Sequence, residues 1–167
     1  LVAKEGCNSV RLPFNTRTLM DSAPDGSLMF NQAMIARIDR CLSWCRRHGI
    51  YLILDMHGAP GGQTGTNIDD SASDHPDLFT SSEYQEQCVT IWQMLAARYA
   101  DEPAVAGYDL LNEPLPKWFN GYNHLLMPLY RRIVQAIREV DTRHMIILEG
   151  VHWANDWSVF DELSHNP

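Results

Sequence analysis

The clearest indication of the fold is the segment Ile50-Tyr51-Leu52-Ile53-Leu54-Asp55-Met56-His57-Gly58. Its first five residues are continuously apolar, as expected for a strand that is buried on both faces of a parallel sheet. His48-Gly49 directly before it is typical of a helix C-terminus, and Asn31 can cap the start of that helix. A helix that leads straight into a buried strand predicts an α/β protein.

The same alternation of strand and helix runs through the whole chain. Strands are predicted to begin near residues 9, 50, 105 and 145, with an amphipathic helix between each pair. The apolar residues at helical spacing are Met34, Ile35, Ile38, Cys41, Leu42 and Cys45; Tyr84, Cys88, Ile91, Trp92, Leu95 and Tyr99; and Leu126, Leu129, Tyr130, Ile133, Ile137 and Val140. No Gly-x-Gly-x-x-Gly follows a strand, which disfavours a dinucleotide-binding fold. Polar residues gather after the strands instead, as in a (β/α)8 barrel.

The composition argues against several classes of protein. The 167 residues include 13 Lys and Arg against 21 Asp and Glu, for a formal charge of −8. Such a negative field disfavours a nucleic-acid partner. No apolar run is long enough to cross a membrane, so we expect no membrane association. Because the chain begins at Leu1 instead of Met and stops at Pro167 just after a turn-like stretch, we expect a segment of a longer protein.

The cysteines predict neither a disulfide framework nor a zinc site. Their density is low, no Cys-x-x-Cys pair occurs, and we expect buried small apolar side chains at Cys7, Cys41, Cys45 and Cys88. A metal site built from His57, His75 and Asp69-Asp70 is an alternative, but no His-Glu-x-x-His spacing supports it. We therefore expect neither a metal nor another cofactor.

Glu113 is the sharpest candidate for a catalytic residue. It ends the apolar strand Tyr108-Asp109-Leu110-Leu111 and is followed at once by Pro114. Burial at the rim of an apolar barrel raises the pKa of a carboxyl group, which suits a general acid near neutral pH. Asn112 beside it can offer amide donors and a carbonyl to a ligand hydroxyl. The alternative is that Asn-Glu-Pro merely turns the chain.

His57 and Arg11 form the second pair of candidates. His57 lies between a strand and a Gly-rich loop that is too long for a mere connector, although a lone histidine is often a satisfied core residue. Arg11 lies inside an apolar strand, and a buried guanidinium needs a carboxylate partner. We expect that partner to be Glu113 or a carboxylate outside the segment.

Aromatic residues follow the third and fourth strands, at Trp118, Phe119, Trp153 and Trp157. Sugars expose C–H faces that pack against flat apolar rings, so this clustering fits a saccharide groove. Core packing is the alternative for any one of these rings.

Three motifs at strand ends together resemble glycoside hydrolase family 5, the cellulase-like group of retaining enzymes in clan A. The motifs are Asn8-Ser9-Val10-Arg11-Leu12-Pro13-Phe14, Ile53-Leu54-Asp55-Met56-His57-Gly58 and Leu110-Leu111-Asn112-Glu113-Pro114; Ile147-Leu148-Glu149-Gly150 and His152-Trp153 extend the resemblance. The resemblance implies a (β/α)8 TIM barrel, of which this chain holds about four βα units, the second to the fifth strands. It implies that residues 1–167 are a partial catalytic domain. It also favours a secreted or extracellular protein, although the residues themselves do not show the localisation.

The resemblance also implies roles for individual residues. Glu113 matches the acid/base of the family, and Asn112 matches the donor to the sugar 2-hydroxyl. His57 matches a residue that binds the reacting sugar, and Arg11 matches the arginine that orients the nucleophile. Trp153 is a further substrate-binding candidate. Two stretches look like the long loop after strand three in some glucan-cleaving members, Gly61-Gly62-Gln63 and Asn67-Ile68-Asp69-Asp70.

The nucleophile of the family is expected outside this segment. Retention of configuration needs a second carboxylate, which in the family ends strand seven, and this chain stops earlier. Glu149 lies only one βα unit after Glu113, so we interpret it as a structural partner for a group in the barrel interior. The segment alone should therefore be inactive.

The substrate implied by the resemblance is a cellulose-like or mixed β-glucan. The alternatives are a β-mannan or β-1,3-glucan hydrolase, or a non-catalytic carbohydrate-binding half-barrel.

Overall fold

The computed structural model describes residues 2–66, 68, 69 and 71–163. Its strands are β1 (Ser9–Asn15), β2 (Met20–Ser22), β3 (Leu28–Phe30), β4 (Tyr51–Gly58), β5 (Val105–Asp109) and β6 (Met145–Ile147). Strands β1, β4, β5 and β6 lie side by side in that order as one parallel sheet, and β2 pairs with β3 in an antiparallel hairpin. Sequential parallel strands with intervening helices are the repeating unit of a barrel.

The helices are α1 (Thr16–Leu19), α2 (Gln32–His48), α3 (Ser82–Tyr99), α4 (Leu126–Arg138) and a short turn, α5 (Val151–Ala154). Local sequence signals mark both ends of α2. The Asn31 side chain accepts the Met34 N–H at the start of α2. Gly49 ends α2 in the left-handed conformation, with a φ of 64°, which glycine adopts without a steric penalty.

The hydrophobic core lies between the outer face of the sheet and the helices. Leu54 and Met56 of β4 are fully buried, and Trp92 of α3 packs against both Phe14 and Tyr108 with ring centroids 5.8 Å apart. The Trp92 indole donates a hydrogen bond to the Leu110 carbonyl oxygen at 3.1 Å. A large buried ring therefore ties α3 to the segment that leads from β5 into the strand-end residues.

The inner face of the sheet carries charged side chains. Because successive side chains of a strand point to opposite faces, Asp55 and Asp109 share the face opposite Leu54 and Tyr108. Asp55 and Asp109 are direct cross-strand neighbours, and both are buried. Two like charges in that position destabilise a sheet unless a cation lies between them.

The predicted rhythm of strands and helices is confirmed, as are Asn31 and Gly49 as the ends of the first long helix. The β2-β3 hairpin is an addition that the hydrophobic pattern did not indicate.

In the part of the chain that is described, no helix is both long and apolar enough to span a membrane. Asn67 and Asp70 of the acidic loop stretch lie outside the described residues.

Two expectations about buried side chains are wrong. Val140 lies beyond the end of α4 and is exposed, because the helix finishes at Arg138. Cys7 precedes β1 and is also exposed, whereas Cys45 and Cys88 are buried as expected and Cys41 is half-buried. Val140 was counted with a helix that ends two residues earlier, whereas the burial of Cys7 was expected only from the usual burial of free cysteine.

Candidate active site

The candidate residues meet at one edge of the sheet. Arg11 lies in β1 and His57 in β4, while Asn112 and Glu113 follow β5 and Glu149 follows β6. The strands are parallel, so their carboxyl ends lie at the same edge. The topology therefore brings together side chains that are up to 138 positions apart in the chain.

Arg11 is surrounded by acceptors. Its Nη1 lies 2.9 Å from Asp55 Oδ2, its Nε lies 2.8 Å from Asp109 Oδ2, and its Nη2 lies 2.8 Å from Glu149 Oε1. Nη2 also donates to Asn112 Oδ1 at 3.0 Å. We call these five residues the Arg11 cluster. Three carboxylates around one guanidinium use its fork of donors in several directions at once.

This arrangement corrects the expectation for the partner of Arg11. The guanidinium pairs with Asp55, Asp109 and Glu149, all within this chain, and not with Glu113. Asp55 and Asp109 were missed because each looked like one more residue of a predicted strand. An acidic residue at an inward position of an otherwise apolar strand is the signal that could have identified them.

Burial raises the pKa of all three carboxyl groups in the Arg11 cluster. At Asp55, the hydrogen bond from His57 and the charge of Arg11 lower the pKa and partly offset the effect of burial. At Asp109, the hydrogen bond and the charge of Arg11 have the same effect on the pKa. For Glu149 the hydrogen bond from the Glu113 backbone opposes it, while the charge of Asp109 adds to it. The cluster thus concentrates negative charge in a poorly solvated interior, and one arginine holds it together.

His57 is oriented by the same cluster. Its Nδ1 lies 3.0 Å from Asp55 Oδ2, and its side chain is half-buried. A carboxylate on Nδ1 fixes the orientation of an imidazole ring and leaves Nε2 for another partner. His57 therefore lies at the strand ends, and its Nε2 has no hydrogen-bond partner among the described residues.

Asn112 presents an unused donor. Its Oδ1 accepts from Arg11, and its backbone N–H and carbonyl bond to Met56 and Gln63. Its Nδ2 is buried and has no hydrogen-bond partner among the described residues. A buried amide without a partner costs about 1–3 kcal/mol, so this group is a natural point for a ligand oxygen.

Glu113 has a strained backbone and a free carboxylate. Its φ is 45°, in the left-handed region that costs a residue with a side chain about 1–2 kcal/mol. Its backbone N–H donates to Glu149 Oε2 at 2.6 Å. Its own side chain is half-buried and makes no hydrogen bond or ion pair with the described part of the chain. Strain that persists in a folded protein is found most often at functional sites.

Further left-handed residues lie beside Glu113. They are Leu115, His152, Trp153 and Ala154, with φ values between 51° and 61°. The His152 N–H donates to the Leu115 carbonyl at 2.8 Å, so the loops after β5 and β6 support each other's conformation. The sequence shows no sign of this strain, because none of these residues is a glycine.

Gln63 holds the strand ends in register and was recognised only as part of a loop. Its side-chain Nε2 donates to the carbonyl oxygens of His57 at 2.8 Å and Asn112 at 3.0 Å. Its Oε1 accepts the Ala59 N–H at 3.0 Å, and the residue is fully buried. One amide side chain therefore links the end of β4 to the segment after β5.

The aromatic candidates differ in exposure: Trp118 and Trp157 are exposed, whereas Phe119 and Trp153 are half-buried. Trp118 is 65% exposed and meets Trp153 edge to face with ring centroids 5.9 Å apart. Trp157 is also exposed and contacts Phe160, whereas Phe119 is half-buried against His75. The pair joins the loops after β5 and β6, with Trp118 exposed and Trp153 half-buried, and forms a surface on which a sugar ring could pack.

Among the described residues the alternative metal site is not assembled, and Asp70 lies outside them. His75 bonds to Asp77 at 2.8 Å and to the Tyr122 hydroxyl at 3.0 Å, while His57 bonds to Asp55. No group of three or more His, Cys, Asp or Glu side chains with metal-binding geometry occurs within the described residues.

Comparison with known proteins gives consistent results. A family model for cellulase (glycosyl hydrolase family 5) matches residues 1–167. The chain is 34% identical to a β-xylosidase of Phanerodontia chrysosporium over 94% of its own length and 32% of that protein. It is 32% identical to endoglucanase C of Acetivibrio thermocellus over 98% of its length and 43% of that protein.

A solved structure shows the same architecture. Endoglucanase Cel5A of Pseudomonas stutzeri, determined in complex with cellobiose, superposes with a TM-score of 0.70 at 26% identity. The superposition covers 98% of this chain and 44% of that structure. The chain thus spans less than half the length of the relatives it matches, as expected for a part of a (β/α)8 barrel. The family model, the relatives and the fold agree, and this chain belongs to glycosyl hydrolase family 5.

Proposed function

We propose that residues 1–167 form the acid/base-bearing part of the catalytic barrel of a retaining glycoside hydrolase. The observation that carries the proposal is the pair formed by Asn112 and Glu113. The buried Nδ2 of Asn112 has no partner among the described residues, and the neighbouring Glu113 carboxyl group is equally free. A hydrogen-bond donor for a sugar hydroxyl next to a proton donor is the arrangement that glycoside cleavage needs.

In the proposed reaction Glu113 acts twice. As an acid it protonates the glycosidic oxygen while a carboxylate nucleophile attacks the anomeric carbon, so the leaving alcohol departs and a glycosyl-enzyme forms. As a base it then takes a proton from water, whose oxygen displaces the nucleophile and restores the original configuration. Asn112 donates to the 2-hydroxyl, and Nε2 of His57 binds the same sugar ring.

The nucleophile is proposed to lie beyond Pro167. In a retaining enzyme the two carboxyl groups lie about 5–5.5 Å apart across the scissile bond. The Arg11 side chain is 37% exposed despite its three carboxylate contacts. That exposed part could orient a further carboxylate from the rest of the barrel. We refer to residues 1–167 together with the remaining strands and helices of the barrel as the complete barrel protein.

The proposed substrate is a β-glucan of the cellulose-like or mixed type. Two of the relatives named above are endoglucanases, and one of them was solved with cellobiose. The Trp118–Trp153 surface provides apolar faces for the C–H sides of consecutive sugars. β-Mannan and β-1,3-glucan are the alternative substrates. A non-catalytic carbohydrate-binding half-barrel would use the same surface without turnover.

Hydrolysis assays separate these possibilities. We expect the complete barrel protein to release reducing sugars from carboxymethyl cellulose or mixed-linkage glucan faster than from mannan or laminarin. Residues 1–167 alone should show no turnover above background, because the nucleophile is absent. Turnover by residues 1–167 that disappears in Glu113→Gln would place the nucleophile inside this segment. Binding of glucan by the complete barrel protein without hydrolysis would favour the binding module.

A further inference from the structure

Glu149 connects the Arg11 cluster to the backbone of Glu113. Its Oε1 accepts from Arg11 Nη2 at 2.8 Å, and its Oε2 accepts the Glu113 N–H at 2.6 Å. The Tyr130 hydroxyl donates to the Glu149 carbonyl oxygen at 2.9 Å. The carboxylate therefore has one donor at each oxygen, the backbone of Glu149 has a third contact, and the side chain is only 17% exposed.

The Glu113 N–H donates to a side chain, whereas the backbone N–H groups on either side of it donate to backbone carbonyls. The Asn112 N–H bonds to the Met56 carbonyl and the Leu115 N–H bonds to the Gln63 carbonyl. Pro114 has no N–H. Among the described residues, the acceptor of the Glu113 N–H is a side chain, so a single substitution can remove it. This is the peptide with the left-handed φ of 45°.

We propose that Glu149 is a positioning residue that fixes the acid/base Glu113 by anchoring its backbone N–H to Arg11. This inference rests on the proposed function and adds a residue to it. The anchor holds the Glu113 backbone in its strained conformation and so sets where the carboxyl group meets the glycosidic oxygen. Misplacement of a catalytic group by about 1 Å can cost about 100-fold in rate.

The chemistry of the contact explains why a carboxylate is needed. Glu149 accepts from two donors at once, one at each oxygen. A glutamine has one acceptor oxygen and one amide nitrogen that only donates. In Glu149→Gln either the Arg11 guanidinium or the Glu113 N–H therefore faces an N–H group.

The test compares two leaving groups on the complete barrel protein. Protonation by Glu113 matters for cellotetraose, whose leaving group is a sugar alcohol, and matters little for 2,4-dinitrophenyl β-cellobioside, whose leaving group departs as a stable anion. For Glu149→Gln we expect kcat/KM to fall about 100-fold on cellotetraose and less than about fivefold on the aryl substrate. Because the ratio of the two kcat/KM values cancels the amount of folded enzyme, a purely structural defect leaves that ratio unchanged.

Glu102→Gln is the matched control. Glu102 also accepts from an arginine, Arg46, and from a backbone N–H, that of Ala104 at 3.0 Å. It precedes β5 and so lies at the opposite end of the strands. We expect Glu102→Gln to keep the wild-type ratio of the two kcat/KM values. Glu149→Asp keeps both acceptor oxygens but is one methylene shorter, and it should show the same selective loss to a smaller degree even if Glu149→Gln does not fold.

The same assay on Glu113→Gln separates the two levels of the proposal. If Glu113→Gln loses activity selectively on cellotetraose while Glu149→Gln and Glu149→Asp lower both substrates equally or not at all, the positioning role is wrong and the proposed function stands. If Glu113→Gln affects both substrates equally, Glu113 is not the acid and the proposed function fails together with this inference.

Discussion

The Glu113→Gln variant of the complete barrel protein is expected to hydrolyse cello-oligosaccharides about 1,000-fold more slowly than the wild type. The amide has nearly the same shape as the carboxyl group but neither gives a proton to the leaving oxygen nor takes one from water. The Glu113 side chain makes no hydrogen bond or ion pair with the described residues, so the substitution should leave the thermal unfolding midpoint nearly unchanged. Steady-state kinetics and a melting curve measure both effects.

A small nucleophile provides the control for this prediction. In Glu113→Ala acting on 2,4-dinitrophenyl β-cellobioside, whose leaving group needs no proton, azide should attack the glycosyl-enzyme without a general base and should give a glycosyl azide of retained configuration. Glu139→Gln changes an exposed carboxylate after α4 and should keep wild-type rates without azide. A Glu113→Gln enzyme with more than about a tenth of wild-type activity on cello-oligosaccharides would exclude Glu113 as the acid/base.

Arg11→Met is expected to cause the largest loss of stability at the site. The substitution leaves Asp55, Asp109 and Glu149 without their shared cation in a buried environment. Removing one partner of a fully buried ion pair costs about 3–5 kcal/mol, and we expect about 2–3 kcal/mol here because Arg11 is 37% exposed. Urea denaturation of the complete barrel protein at neutral pH measures this free energy of unfolding.

The pH dependence of that loss has a defined sign. Burial raises the pKa of Asp55, Asp109 and Glu149, so the folded protein holds their protons at pH values where the unfolded chain has lost them. Their contribution to stability is therefore greatest at low pH and falls as the pH rises through the folded pKa values. Without Arg11 these pKa values rise further. The stability difference between Arg11→Met and the wild type should be small in acid and should grow towards neutral pH.

Arg98→Met is the matched control for Arg11→Met. Arg98 pairs with Asp39 at 2.7 Å, but both side chains are about 40% exposed. Such a surface pair contributes at most about 1 kcal/mol. A loss in Arg11→Met that is no larger than the loss in Arg98→Met, or that does not depend on pH, would mean that Arg11 does not hold the buried carboxylates together.

Much of the fold and the location of the candidate site could be predicted from local sequence. Continuous apolar runs identify buried strands, and the capping residues Asn31 and Gly49 mark the ends of α2. Because parallel strands end at one edge, the strand pattern alone is enough to place Arg11, His57 and Asn112 together. The roles of those residues in catalysis are still predictions.

The contacts between these residues could not be predicted in the same way. The partners of Arg11 depend on the register between strands, which sets Asp55 directly beside Asp109. Neither carboxylate interrupts its strand in the sequence. Glu113 combines a left-handed φ with a tertiary hydrogen bond to Glu149, and neither leaves a mark on composition or periodicity.

Labelling can identify the nucleophile. Residues 1–167 are proposed to carry the acid/base, with the nucleophile in the rest of the barrel. A 2-deoxy-2-fluoro-β-cellobioside with a dinitrophenyl leaving group should trap the glycosyl-enzyme of the complete barrel protein, and peptide mass spectrometry should locate the sugar. We predict a labelled glutamate in the sequence after Pro167. A label on Glu149, Glu113 or any other carboxylate of residues 1–167 would place the nucleophile inside this segment and overturn the proposed function.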